Sequence, residues 1–249
     1  MTKPRVVASI EARMKSQRFP GKVLMDIEGT TSLSRLLKRL RHANLLDEIV
    51  LATSHTIADD ALVAWAKSEN LAYHRGDETD VLARVVEAHQ MMRSDIVVKV
   101  CGDTPLLDSE VIDAAIDRFL SDPSIDVVTT TQERFFPDGV DAEVFSLASL
   151  IEVSQMNHEA EVREHVSLQF YRSNSGYKVS NLTSPQKLFA PDLRLVVDYP
   201  EDLEMVRNVY RRLIPISGEN FTTVDVIRLL KKEPQIAAIN SKYSEFTSS

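Results

Sequence analysis

Residues 48–101 read EIVLATSHTIADDALVAWAKSENLAYHRGDETDVLARVVEAHQMMRSDIVVKVC. Apolar, β-branched runs at 48–53, 71–74 and 95–101 alternate here with helical patterns at 57–70 and 79–93. Strands and helices in strict alternation predict βαβ units, which build a mostly parallel sheet with helices on both faces. The runs EIVLAT and DIVVKV are almost continuously apolar, as strands buried on both faces are. The stretch therefore predicts the α/β fold class.

The same alternation extends in both directions along the chain. Further strands are predicted at 5–10, 125–131, 140–145, 177–182 and 193–197. Further helices are predicted at 32–44, 108–120, 160–171, 200–213 and 222–231. There is no internal repeat and no low-complexity linker, so we expect one domain over residues 1–249. The strand VDAEVF (140–145) alternates apolar and acidic residues, which is typical of a strand with one wet face. We therefore interpret residues 134–176 as an excursion from the main sheet.

Composition excludes several classes of protein. The chain has 249 residues, with 29 Lys plus Arg against 37 Asp plus Glu, and a net charge of −8. This balance argues against a general nucleic-acid binder, because such proteins carry a surplus of basic residues. The single Cys excludes an intrachain disulfide framework. The apolar runs are too short to span a membrane, and the N-terminal residues lack the features of a signal peptide, so we expect a cytoplasmic protein.

A basic loop follows the first predicted strand. Residues 11–22, EARMKSQRFPGK, contain Arg13, Lys15, Arg18 and Lys22 but a single acid. Ligands of open α/β sheets bind outside the carboxyl ends of the strands, which is where this loop lies. Such a cluster can neutralise a polyphosphate and stabilise charge on a leaving group, although a solvated surface loop has the same composition. The GxGxxG, P-loop and GxSxG patterns are absent.

Two carboxylates follow other predicted strands. Asp103, in CGDTP, comes after strand 95–101, and Asp198, in VDYPED, comes after strand 193–197. Because parallel strands end at one edge of the sheet, the two side chains are expected to form a site for a divalent cation such as Mg²⁺. The alternatives are a turn at Asp103 and a helix cap at Asp198, before the helix that begins with Pro200. Cys101 is expected to be a buried small residue rather than a nucleophile.

Six segments in order resemble one known family. They are ASIEARMKSQRFPGKVL (8–24), HRGDETDVLARVVEA (74–88), DIVVKVCGDTPLLDSEVID (95–113), PDGVDAEVFSLASL (137–150), REHVSLQFY (163–171) and LRLVVDYPEDLEMVR (193–207). The chain resembles the cytidylyltransferases of the CMP-Kdo and CMP-sialate synthetase superfamily, and within it the spore-coat polysaccharide (SpsF) branch. The resemblance implies a single-domain nucleotidyltransferase fold of the GT-A-like type. It also implies transfer of CMP from CTP to a sugar acid or related acceptor, with release of pyrophosphate.

The resemblance also implies roles for individual residues. Arg13 and Lys22 would bind the triphosphate and stabilise the leaving pyrophosphate, and Asp103 and Asp198 would hold Mg²⁺. The remaining implied contacts are Ala12, Ser16 and Arg18 in the nucleotide loop, Arg75 and Asp80 near the cytidine, and Arg163 and His165 near the acceptor. A homodimer through residues 134–176 is also implied. The chain departs from the family pattern at Lys15, Gln17 and Tyr199, where a Gly, a small hydroxyl residue and a Thr are usual.

Two other functions are compatible with the same sequence. A glycosyltransferase of related nucleotide-sugar fold is one, but such enzymes usually carry an Asp-x-Asp pair where this chain has Gly102-Asp103-Thr104. A non-catalytic nucleotide-binding protein is the other, and the joint presence of Lys22, Asp103 and Asp198 argues against it. No membrane or nucleic-acid partner is expected.

Overall fold

The computed structural model describes residues 3–244. Its strands are β1 Val6–Glu11, β2 Asp26–Ile27, β3 Thr30–Thr31, β4 Glu48–Ser54, β5 Ala72–Gly76, β6 Ile96–Cys101, β7 Val127–Thr129, β8 Glu143–Ser146 and β9 Val179–Asn181. Its α-helices are α1 Ser32–Leu40, α2 Asp60–Ser68, α3 Val81–Met92, α4 Ser109–Ser121, α5 Leu147–Met156, α6 Ala160–Glu164, α7 Leu168–Tyr171, α8 Pro200–Ser217, α9 Thr223–Lys232 and α10 Pro234–Ala237.

Seven strands form the central sheet, in the order β5-β4-β1-β6-β8-β7-β9. β5, β4, β1 and β6 run parallel, β8 runs antiparallel to both of its neighbours, and β7 pairs with β9 in parallel. β2 and β3 form a separate antiparallel hairpin. The mostly parallel sheet predicted from the sequence is therefore confirmed.

Helices cover both faces of this sheet. Successive residues of β6 belong to different apolar clusters because side chains alternate along a strand. Val97 lies in the cluster that contains Leu82 of α3 and Leu150 of α5. Val98 lies in the larger cluster, which contains Leu36 of α1. Burial on both faces explains why β1, β4 and β6 are almost continuously apolar.

The predicted excursion contains a strand of the main sheet. β8 lies between β6 and β7, so the interpretation of residues 134–176 as a departure from the sheet is wrong for this strand. Its acidic residue, Glu143, is buried rather than solvated. The carboxylate of Glu143 accepts a hydrogen bond from Lys99 Nζ at 2.7 Å and another from the Tyr171 hydroxyl. The alternating pattern therefore reflects a buried ion pair and not a wet face.

The predicted strand at 193–197 is not a strand of the sheet. Arg194 forms one isolated bridge with Asp138, and Val197 N donates to Asp103 O at 2.8 Å. Gly139 lies against this segment at a φ of +93°, where a Cβ would come within 2.7 Å of Val196 N. The segment is thus extended because it is bound by two loops, and these contacts bring its end beside Asp103.

Two helices also differ from the prediction. The single helix expected at 160–171 is two short helices, α6 and α7, because His165 adopts an extended conformation at the end of α6. α5 was not predicted, although Ser146 caps it by accepting a hydrogen bond from Ser149 N. Among residues 3–244, no helix has both the length and the apolar character that a membrane crossing requires.

Candidate active site

The loop after β1 is folded back on itself at Pro20-Gly21. Gly21 has a φ of +73°, a left-handed conformation that favours glycine, and its N–H donates to Met14 O at 2.9 Å. Met14 N in turn donates to the carboxylate of Asp59 at 2.7 Å, which attaches the loop to the region before α2. The fold of this loop directs Lys22 towards the carboxyl ends of the strands.

Lys22 lies between the two predicted carboxylates. Its Nζ is 2.5 Å from Asp103 Oδ2 and 2.7 Å from Asp198 Oδ1, and the residue is 8% exposed. Burial disfavours the ammonium, but attraction to Asp103 and Asp198 outweighs burial and raises the pKa of Lys22. The lysine therefore stays charged, and Asp103 and Asp198 are brought together as the sequence predicted.

Asp198 is held by three cations. Besides Lys22, Arg18 Nη2 donates to its Oδ1 at 2.7 Å and Arg194 Nη2 donates to its Oδ2 at 2.8 Å. Burial alone would raise the pKa of Asp198, but Lys22, Arg194 and Arg18 lower it. The helix-cap alternative fails, because Asp202, and not Asp198, accepts the backbone N–H groups of Asp198 and Tyr199 at 2.8 and 2.9 Å.

Tyr199, one of the departures from the family pattern, supports Arg18. The guanidinium of Arg18 lies 5.3 Å from the centroid of the Tyr199 ring, and that ring stacks on Tyr243 with centroids 3.8 Å apart. A cation over an aromatic face is attracted to it. Where the family usually has a Thr, whose hydroxyl can cap the helix, this chain has an aromatic ring whose face orients Arg18 towards Asp198.

A cleft of about 640 Å³ opens at this edge of the sheet. Eight predicted site residues line it: Ala12, Arg13, Ser16, Arg18, Lys22, Asp103, His165 and Asp198. Ser16 Oγ accepts a hydrogen bond from Phe19 N at 3.3 Å and so shapes the loop. Arg13 is half-exposed, and its Nη2 lies 3.9 Å from Glu164 Oε1.

Three other predicted residues contact protein groups beside the cleft. The guanidinium of Arg75 donates to Ser54 O at 2.8 Å and to Thr56 O at 2.8 Å. Arg163 Nη2 lies 2.5 Å from Asp80 Oδ2, and Arg163 Nη1 donates to Ser154 O at 2.7 Å. Asp80 also caps α3 by accepting from Ala83 N at 2.9 Å. These contacts attach α6 to the start of α3, beside the cleft wall formed by His165.

The floor of the cleft contains groups that sequence reasoning missed. Glu11 Oε1 and Arg84 Nε are buried without a hydrogen-bond partner among the described residues. Burial raises the pKa of Glu11 and lowers the pKa of Arg84. The signal that could have found Glu11 is its position: it is the last residue of β1, beside Cys101 in the sheet register. Buried polar atoms without a hydrogen-bond partner are rare, and a bound water, ion or ligand is one way in which they become satisfied.

Cys101 is exposed on this floor, so its predicted burial is wrong. Cys101 is the last residue of β6, where the cleft opens at the edge of the sheet. Lys99 attracts a thiolate, but the position of Cys101 at the base of the cleft and the repulsion by nearby carboxylates outweigh this effect and raise the pKa of Cys101. The thiol therefore remains protonated at neutral pH, in agreement with the prediction that it is no nucleophile. Gly102 serves packing, since a Cβ there would lie 2.9 Å from Ala12 Cβ.

The carboxylate pair suits a magnesium ion that is shared with a ligand. No group of three or more His, Cys, Asp or Glu side chains within residues 3–244 is arranged to hold a metal. Asp103 and Asp198 direct oxygens at one common cation position, which the Lys22 ammonium marks. Mg²⁺ is typically bound by one or two carboxylates together with phosphate oxygens. The residues present therefore fit Mg²⁺ only together with such a ligand.

A mostly parallel α/β sheet with a basic loop and two carboxylates at its carboxyl edge defines the nucleotidyltransferase class of fold. Residues 7–225 match the family described as Cytidylyltransferase, and the chain belongs to this family. The spore coat polysaccharide biosynthesis protein SpsF of Bacillus subtilis is 31% identical to the chain over 235 residues, which cover 92% of this chain and 95% of that protein. The resemblance to the SpsF branch is therefore confirmed.

Two further comparisons agree with this assignment. A cytidylyltransferase structure from Leptospira borgpetersenii superimposes with a TM-score of 0.89 at 28% identity, covering 99% of this chain and all of the other. The 3-deoxy-manno-octulosonate cytidylyltransferase of Pelobacter propionicus is 34% identical over 124 residues, about half of each chain (50% and 48%). The protein is thus a nucleotidyltransferase with cytidylyltransferase activity.

Proposed function

We propose that the protein transfers CMP from CTP to a sugar acid and releases pyrophosphate. The observation that carries this proposal is the Lys22 ammonium between Asp103 and Asp198, at the edge of a cleft that Arg13 and Arg18 also line. The names of relatives support the substrates, since one is a 3-deoxy-manno-octulosonate cytidylyltransferase and another serves spore coat polysaccharide biosynthesis.

The reaction forms one bond and breaks one. An acceptor hydroxyl oxygen bonds to the α-phosphorus of CTP, the bond from that phosphorus to the bridging oxygen breaks, and the hydroxyl proton passes to solvent. Arg13, Arg18 and Lys22 bind the phosphates and stabilise the charge that develops on pyrophosphate, in a cleft where Ala12 and Ser16 shape the loop. Asp103 and Asp198 would hold Mg²⁺, which supplies further charge neutralisation at the phosphates.

The acceptor is proposed to bind on the side of the cleft that contains His165. Arg163 lies beside this side but donates to Asp80, so it contributes by holding α6 and His165 in place. Asp80 and Arg75 are proposed to shape the cytidine side through the start of α3 and the loop after β4. Glu11 and Arg84 also line the cleft, and they add a carboxylate and a guanidinium to the polar surface proposed to receive a sugar acid.

A homodimer is proposed through residues 134–176. Met156, at the end of α5 within this segment, is 74% exposed. A large exposed apolar side chain is compatible with an interface, although single ones also occur on monomers.

The direct test is turnover with each of the four nucleoside triphosphates against a panel of ulosonic acids, nonulosonic acids and phosphorylated sugars. We expect pyrophosphate and a CMP-sugar, with CTP preferred. Release of a nucleoside diphosphate from a nucleotide-sugar donor would instead identify a glycosyltransferase. A chain that neither turns over CTP nor gains thermal stability from CTP with Mg²⁺ would be a non-catalytic protein of the same fold.

A further inference from the structure

The position between the two carboxylates is taken by a cation of the protein itself. Lys22 Nζ lies within 2.7 Å of an oxygen of each aspartate, and its side chain is 10% exposed. Asp198 has no free oxygen in this arrangement, because Oδ1 accepts from Lys22 and Arg18 and Oδ2 accepts from Arg194. A divalent cation that used both carboxylates would need the place of the ammonium.

The two cations exclude each other for physical reasons. Like charges at contact distance repel strongly at a site withdrawn from water. The backbone of the loop is attached at Met14 and Gly21, so the flexible stem of Lys22 is the part able to move. An incoming anion would compete with the two aspartates for this ammonium.

We propose that Lys22 is a built-in counter-ion that keeps divalent cations out of the site until a nucleoside triphosphate binds. The phosphates draw the ammonium away from Asp103 and Asp198, and the carboxylates then become available to the metal. Metal binding by the protein therefore depends on nucleotide, and the nucleotide-free protein remains stable without a metal. The inference rests on the proposed function only in that the incoming anion is the triphosphate of CTP.

The test is equilibrium binding of Mn²⁺, used as a spectroscopic substitute for Mg²⁺ and followed by electron paramagnetic resonance without nucleotide. We expect weak binding to the wild-type protein and at least tenfold tighter binding to Lys22→Met, in which the carboxylates lose their internal cation. The matched control is Lys15→Met, since Lys15 belongs to the same loop but pairs with Glu78 and contacts neither aspartate. The control should bind Mn²⁺ as weakly as the wild-type protein.

Two further variants locate the effect. Lys22→Gln, which removes the charge but retains a polar end, should also bind Mn²⁺ more tightly, and this keeps the test available if Lys22→Met does not fold. Adding Asp103→Asn to either variant should abolish the gain. A folded Lys22 variant with unchanged Mn²⁺ affinity would overturn the proposal, as would nucleotide-free wild-type protein that binds Mn²⁺ as tightly as the variant.

Mn²⁺ binding measured in the presence of CTP distinguishes a failure of this inference from a failure of the proposed function. With saturating CTP, the wild-type protein should bind Mn²⁺ more tightly than free CTP does, and the advantage of the Lys22 variants should shrink. If CTP has no effect but the variants still bind Mn²⁺ tightly, Lys22 is a counter-ion in a protein whose anion is not CTP.

Discussion

At the scale of single residues, the cleft is a set of charges that compensate one another. Lys22 contacts two carboxylates, and Asp198 contacts three cations. Arg194 extends the set to Asp138 at 2.8 Å and to Asp202 at 3.1 Å. The charges are thus positioned before any ligand binds, which is the arrangement that stabilises a developing anion most effectively.

Lys22→Ala and Arg13→Ala should each lower kcat by roughly 10²–10³, the usual cost of removing one positioned charge from a developing anion. Steady-state release of pyrophosphate from CTP measures this effect. Lys67→Ala is the control, because Lys67 is an exposed residue of α2 that does not line the cleft. Near wild-type turnover in both variants would contradict the assignment of these residues to the triphosphate.

The two aspartates should differ in their effect on stability. Asp198→Asn removes the negative charge that balances Lys22, Arg18 and Arg194 at a largely buried position. The free energy of unfolding measured with urea should therefore fall by about 3 kcal/mol. Asp103, within the described part of the chain, accepts a side-chain hydrogen bond from Lys22 alone and is more exposed, so Asp103→Asn should cost about 1 kcal/mol. Both variants should lose most activity. Equal losses of stability would show that the three cations do not depend on Asp198.

At the scale of secondary-structure elements, the patterns of single segments predicted most of the sheet but not its pairing. β1, β4, β5 and β6 begin and end within two residues of their predicted positions, since their apolar runs are local features. β8 was predicted as a strand, yet its place between β6 and β7 brings Glu143 opposite Lys99, which lies 44 positions away in the chain. α3 was also predicted, and it buries a histidine.

His89 of α3 should make the protein less stable in mild acid. Its side chain is fully buried beside Ser94, and burial lowers its pKa from 6.5 to about 3. Because the unfolded chain binds a proton below pH 6.5 while the folded chain does not, stability falls as the pH drops through that range. Between pH 7 and pH 5 the contribution of His89 is a loss of about 2 kcal/mol.

Urea unfolding of wild-type and His89→Gln protein at pH 7 and pH 5 measures this contribution. The Gln variant should lose less stability over the interval, and His42→Gln, which replaces an exposed histidine, should lose as much as the wild-type protein. If the free energy of unfolding changes equally between pH 7 and pH 5 in all three proteins, His89 is protonated at pH 5 in the folded state as well.

At the scale of the whole molecule, the cleft is formed by segments distant in the chain. Arg18, Lys22, Asp103, His165 and Asp198 come from four separate connections, which the fold brings together around one cleft. The proposed acceptor side contains His165, which belongs to the same segment, 134–176, as the proposed dimer contact. The proposed dimer interface and the acceptor side of the cleft are therefore expected to lie close to one another.

Met156→Asp should weaken the proposed homodimer. In a two-fold interface each side chain occurs twice, so one substitution buries two charges. Light scattering coupled to size-exclusion chromatography measures the mass, and the control is Ile216→Asp, an equally exposed apolar residue of α8 outside the segment (80% exposed against 74% for Met156). A wild-type protein that is monomeric, or a dimer that both variants leave intact, would contradict the proposal.

The sequence by itself determined the fold class, the order of strands and helices in the parallel half, and the loops that carry charge. These features follow from the spacing of apolar residues and from turn residues, which act over a few positions of the chain. The basic loop that contains Arg13 and Lys22 and the carboxylates of Asp103 and Asp198 were predicted as site candidates for the same reason, because each follows a predicted strand.

Only the tertiary structure decided which groups meet. The placement of Lys22 between Asp103 and Asp198 and the pairing of Arg163 with Asp80 arise from contacts between residues distant in the chain. Even the segment 193–197, which was expected to be a strand, owes its extended conformation to backbone hydrogen bonds with other loops. A charged side chain takes whichever partner the packed sheet brings within reach, and sequence spacing does not encode that choice.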